Sequence, residues 1–154
     1  MKKLLFFGIA ALSLFACASQ SDKEEPRKDG YTPRLTNRID SLEKDVMDGH
    51  DIGMARIQNV NKYLTQVQQS LDSLAKLPSA KVDKNYQQAL IGLKDELAYA
   101  DMSMFKWMEE YNMDTLENNP AKKAEYLESE KAKVLKVKEA ILGSLAKADS
   151  LFRK

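Results

Sequence analysis

The residues with the widest chemical reach in this chain are one histidine and a group of methionines gathered in two short windows. The first window runs Met47-Asp-Gly-His50-Asp-Ile-Gly-Met54, the second Asp101-Met102-Ser-Met104-Phe-Lys-Trp107-Met108. His50 and Met54 are four residues apart, as are Met104 and Met108, so on a helix each pair shares a face. An imidazole with two or three thioethers is a neutral, soft ligand set. It suits Cu(I) and, by the same softness, Ag(I), whereas Mg2+ and Ca2+ require oxygen. The candidate metal ligands are therefore His50, Met54, Met104 and Met108, with Met47 in reserve and the indole of Trp107 alongside. Methionine at helical spacing also serves as adaptable core filler, and the sequence leaves both readings open.

Other chemistries lack the residues they need. With one His and one Cys, the chain cannot build a Cys–His or multi-His catalytic site, or a multi-thiolate metal centre. The six glycines are isolated, so no loop is made to cradle a phosphate. No serine stands in a nucleophile-elbow context, and a narrow bundle offers paired carboxylates no sugar cleft. The expectation is a non-enzyme with no resident cofactor unless it is Cu(I). A count of 24 Lys+Arg against 23 Asp+Glu argues against nucleic acid as a partner.

The elements that must position these groups are helices. Pro33, Pro78 and Pro120 separate long proline-free stretches. Thr32-Pro33 and Asn119-Pro120 each match a polar N-cap followed by proline at the first helical position, and Ser79 is placed to cap the helix after Pro78. Three apolar stripes follow at steps of three and four. The first passes through Val46, His50, Gly53, Ile57, Val60 and Val67, the second through Leu90, Leu97, Asp101, Met104, Met108 and Tyr111. The third passes through Leu127, Glu130, Val134, Ile141 and Ala148. Short connections make neighbouring helices antiparallel. The fold class expected over residues 33–154 is thus all-α, an elongated, coiled-coil-like antiparallel three-helix bundle. A homodimer that closes the stripes to four helices is the second solution.

A hairpin folded about residue 79 sets His50 level with Met108, and Met54 level with Met104. A second turn near residue 117 brings Tyr126 and Glu130 to that same level. His50, Asp101 and Glu130 interrupt the stripes, and such groups must reach water or find partners if buried. Gly49 and Gly53 permit close helix approach or weaken the helix, and spacing does not decide between these. The charged run from Glu128 to Lys136 reads as a solvated face.

Residues 1–16 place Lys2-Lys3 before the apolar run Leu4–Leu14, a secretion signal too short to span a bilayer. The stretch Leu14-Phe15-Ala16-Cys17 resembles the lipobox of bacterial lipoproteins, which implies that Cys17 becomes the lipidated first residue. Acyl chains there would anchor the chain through about 0.8 kcal/mol per buried methylene. Residues 18–30 lack apolar side chains beyond Ala18, and residues 17–32 read as a flexible tether. Within it, Ser21-Asp22-Lys23-Glu24-Glu25 is similar to the acidic surface-export tag of some Gram-negative lipoproteins, or is a plain solvated linker.

The windows Met47–Met54 and Ala100–Met108, with the Glu/Lys-rich third helix, also resemble a group of small helical bacterial lipoproteins. Proteins of that kind often carry the label "viral A-type inclusion protein", and the resemblance implies fold and location but no activity. Gly53 departs from their pattern. The reading that follows is a lipid-anchored, cell-envelope binding or scaffold module. It would sit on the outer membrane, facing the periplasm or the surface, and meet a protein partner. The alternative is a soft-metal protein of the envelope that uses the His/Met cluster.

Overall fold

The computed structural model describes residues 37–153, which fall within one compact unit. They form helices α1 (Arg38–Ala75), α2 (Lys84–Glu110) and α3 (Pro120–Phe152), each packed against the other two. No strand occurs among the described residues. At 1.5 Å per residue α1 is about 57 Å long, so the three-helix bundle is elongated, as the stripes required. The signal segment, Cys17, the tether and Thr32-Pro33 all lie outside the described residues.

The caps fix where each described helix starts. α1 begins at Arg38, where the Asn37 side chain accepts from the amides of Ile39 and Asp40. Ser79 does not cap α2. It opens the short 3-10 turn Ser79–Lys81, and Asp83 takes the capping role by accepting from Asn85 and Tyr86. Asn119-Pro120 starts α3 as expected, with the Asn119 carbonyl side chain accepting from Lys122.

Contacts between helices fix direction and register. His50 lies against Trp107 and Gly53 against Met104, so α1 and α2 run antiparallel within one residue of the register about residue 79. Trp107 bonds Glu130, and Tyr111 stacks on Tyr126, which sets α3 antiparallel to α2. Ion pairs Asp45–Lys131 and Glu43–Lys123 join α1 to the parallel α3. These half-buried pairs fix register; the core supplies most of the stability. Tyr63 stacks on Phe152, the last helical residue of α3, and α1 continues beyond that level to Ala75 with α2 as its companion.

The core is a seam of seven-residue steps: Val46, Gly53, Val60 and Val67 on α1; Leu90, Leu97 and Met104 on α2; Leu127, Val134, Ile141 and Ala148 on α3. Gly49 and Gly53 serve close approach. A Cβ at Gly49 would fall 2.9 Å from a Val134 methyl, and one at Gly53 2.3 Å from the Met104 methyl.

Candidate functional site

The second stripe needs correction. Its filled positions between Leu97 and Tyr111 are Ala100, Met104 and Trp107, not Asp101 and Met108. Trp107 is 4% exposed while Met108 is 41% exposed. The reason is the third helix: Ala100 and Trp107 lie on the α3 side of the Leu97–Met104 line, where α3 covers them. Asp101 and Met108 fall on the other side, toward the α1 groove. Met104 is buried, its methyl seated against Gly53, and belongs to the core rather than to a solvent-reachable ligand set.

Glu130 is the charged group inside the bundle, 2% exposed. One carboxylate oxygen accepts from the Trp107 indole N–H at 2.9 Å, the other from Lys133 at 2.7 Å. These two bonds offset a desolvation that would otherwise cost several kcal/mol. The bond to Glu130 also raises the pKa of Lys133. Around this pair an aromatic stack crosses the bundle. The His50 and Trp107 rings are 5.7 Å apart, Trp107 and Tyr111 4.9 Å, Tyr111 and Tyr126 6.2 Å. The Tyr126 hydroxyl accepts from the Asn112 amide and so pins the loop after α2.

Two buried polar atoms have no partner among the described residues, Asp101 Oδ1 and the Tyr111 hydroxyl. Burial, with the carboxylates of Glu43 and Glu130 and the nearby Tyr126, raises the Tyr111 pKa to about 12. His50 does not meet a carboxylate from another helix. Its Nδ1 lies 2.8 Å from Asp51 on the same helix, and its side chain is half-buried.

The groove between α1 and α2 gathers the remaining candidates. A Gln68–Lys94 bond marks the facing sides of these helices. Seven-residue steps carry that side from Gln68 through Asn61 and Met54 to Met47, and from Lys94 through Asp101 to Met108. Met47 and Met54 are half-buried there, flanking His50. In the antiparallel register Trp107 lies opposite His50, with Met108 one residue on. The backbone register therefore places Met47, His50, Met54 and Met108 along about two turns of the groove, with Asp101 about two turns beyond Met108. Among the described residues no group of three or more His, Cys, Asp or Glu side chains could hold a metal ion.

A second surface, on the outer side of α2, escaped the stripe analysis. Ile91, Tyr99, Met102 and Phe105 are exposed, Tyr99 by 65% and Met102 by 69%. Lys94 reaches α1 on one flank and Glu96 pairs with Lys147 of α3 on the other, so this strip faces away from both neighbours. Its signal was present in the seven-residue repeat of Ile91, Ala98 and Phe105, a second apolar line beside the core line. The aromatic stack was legible too, in Trp107/Tyr111 and Tyr126/Glu130, two pairs at four-residue spacing on either side of the second turn. No family model, curated protein or solved structure matches this chain.

Proposed function

We propose that this chain is a lipid-anchored binding module of the cell envelope, held through Cys17 and meeting a helical protein partner along the outer face of α2. The observation that carries the reading is the strip Ile91, Tyr99, Met102 and Phe105, exposed on a helix whose opposite face already fills a core. Ile91 and Phe105, joined by seven-residue steps through Ala98, give one apolar line of the kind one helix offers another, and Tyr99 and Met102 widen it. Asp95 and Glu109, one seven-residue step on either side of Met102, and Lys106, one step beyond Tyr99, interrupt the strip with both signs of charge and would set the orientation of an amphipathic helix laid along it. No described helix is long and apolar enough to cross a membrane. Attachment therefore rests on the signal and lipobox pattern of residues 1–17.

The test is a photo-crosslinking residue at position 102 in the envelope of cells that make the full chain, with position 136 on α3 as control. The expected result is one dominant adduct of fixed mass at 102, absent at 136, and absent when Tyr99 is changed to Lys. An adduct of twice the chain mass would replace the foreign partner with a second copy. Equal labelling at both positions, or none at 102, would remove this surface from the function. Cys17→Ala should release the chain from membranes, and unchanged membrane partition would sink the anchor.

A further inference from the structure

Outside the outer strip of α2, the α1–α2 groove holds an arrangement that packing alone does not account for. Met104 does what a core methionine does: it is buried and fills the space left by Gly53. Of Met47, Met54 and Met108, none fills a void of that kind, although Met54 packs in part against the core. The first two are half-buried and the third is exposed, on a groove where Gln, Asn, Lys and Asp occupy the neighbouring seven-residue positions. Along α1, Met47 and Met54 come about one turn before and after the only histidine of the chain, and Met108 on α2 is one residue from the position facing it.

His50 is held as a ligand is held. Its Nδ1 lies 2.8 Å from Asp51 Oδ1, and donation along that bond places the proton on Nδ1 and leaves the Nε2 lone pair free. Carboxylate support of this kind orients an imidazole. The Trp107 ring, 5.7 Å away and tilted by 39°, backs the imidazole. Its indole N–H is already engaged by Glu130, which leaves the ring face as the part available to a cation.

We propose that His50, Met54 and Met108, with Met47 as a fourth or exchanging donor, form a site for a soft monovalent cation, Cu(I) or Ag(I), on the α1–α2 groove. The donor set is one imidazole nitrogen and two or three thioether sulfurs, all neutral, which favours a soft monovalent ion over hard or divalent ones. Asp101, with a buried and unpartnered oxygen further along the same groove, adds negative potential without joining the donor set. Met104 is not part of the site, and this separates the structural reading from one based on methionine spacing.

Trp107 is the only tryptophan, so its emission reports on this place alone. The experiment titrates the purified full chain with Ag(I), and with Cu(I) under ascorbate against a chromophoric competitor. The expected result is a saturable quench at one equivalent. His50→Gln, Met54→Leu and Met108→Leu should each weaken binding at least tenfold, while Met104→Leu leaves it unchanged. Helical circular dichroism is measured on every variant, and Met→Leu roughly preserves volume, so loss of fold is seen separately. A quench that survives both Met54→Leu and Met108→Leu would overturn the site. So would equal quenching by Zn(II), or no binding at micromolar metal.

Discussion

The two ends of the bundle are built on different principles. Toward the α1–α2 turn the seam is aliphatic: Val60, Val67, Leu90, Leu93 and Leu97, with Ala148 from α3. Polar contacts there are fewer: Gln68–Lys94 and Glu96–Lys147 at the rim, a part-buried bond from Tyr63 to Asp149, and the buried Ser144 hydroxyl bonded to the Ile141 carbonyl of its own helix. Toward the α2–α3 turn the interior carries Trp107, Glu130 and Tyr111, with His50 and Tyr126 partly enclosed. At the first end an apolar group of the right volume satisfies its neighbours at each of these seam positions. At the second, stability depends on which donor meets which acceptor, because a buried polar atom left alone costs more than a mispacked methyl. Specific chemistry therefore concentrates at one end, and the other serves as its rigid support.

Substitutions at each end sharpen this contrast, beginning at the aliphatic one. Leu97→Ala should destabilise the bundle by about 2–5 kcal/mol, since Leu97 is fully buried between helices that cannot collapse around the void. Urea unfolding followed at 222 nm checks it; a loss under about 1 kcal/mol would mean that this end is loosely packed after all.

At the polar end Trp107→Phe should cost about 1–3 kcal/mol, in part because it strips Glu130 of its buried donor. Adding Glu130→Leu to that variant should recover some of the loss, whereas Glu130→Leu alone leaves the indole N–H unpaired. A strictly additive double variant would show that the two side chains do not act as a pair.

Tyr111→Phe gives the smallest effect and the opposite sign, a gain of about 1 kcal/mol, because the hydroxyl it removes is buried without a partner. It also alters the response to alkali. With its pKa raised from 10.0 to about 12, folded Tyr111 keeps its proton where the unfolded chain has lost it. The stability this provides is complete below pH 10 and is lost as pH rises from 10 through 12. Denaturation midpoints at pH 9, 10 and 11 should fall less steeply in Tyr111→Phe than in the parent. Parallel slopes would mean that the hydroxyl reaches water in solution.

The chain by itself determined the number of helices, their mutual direction and the level at which His50, Trp107, Glu130 and Tyr126 meet. Apolar steps of three and four define a stripe, and the length of the stretch on each side of a turn defines which turns of helix lie opposite. It did not determine which side of the stripe is covered. Ala100 and Asp101, or Trp107 and Met108, both continue the pattern from Leu97, and choosing between them requires the position of α3. That position puts Trp107 inside and Met108 on the groove. The same holds for Gly49 and Gly53, whose absent side chains mattered only once Val134 and Met104 filled the space. Periodicity along one helix is a local property, whereas the width of the buried arc is set by two neighbours at once, and their placement is a property of the assembled core.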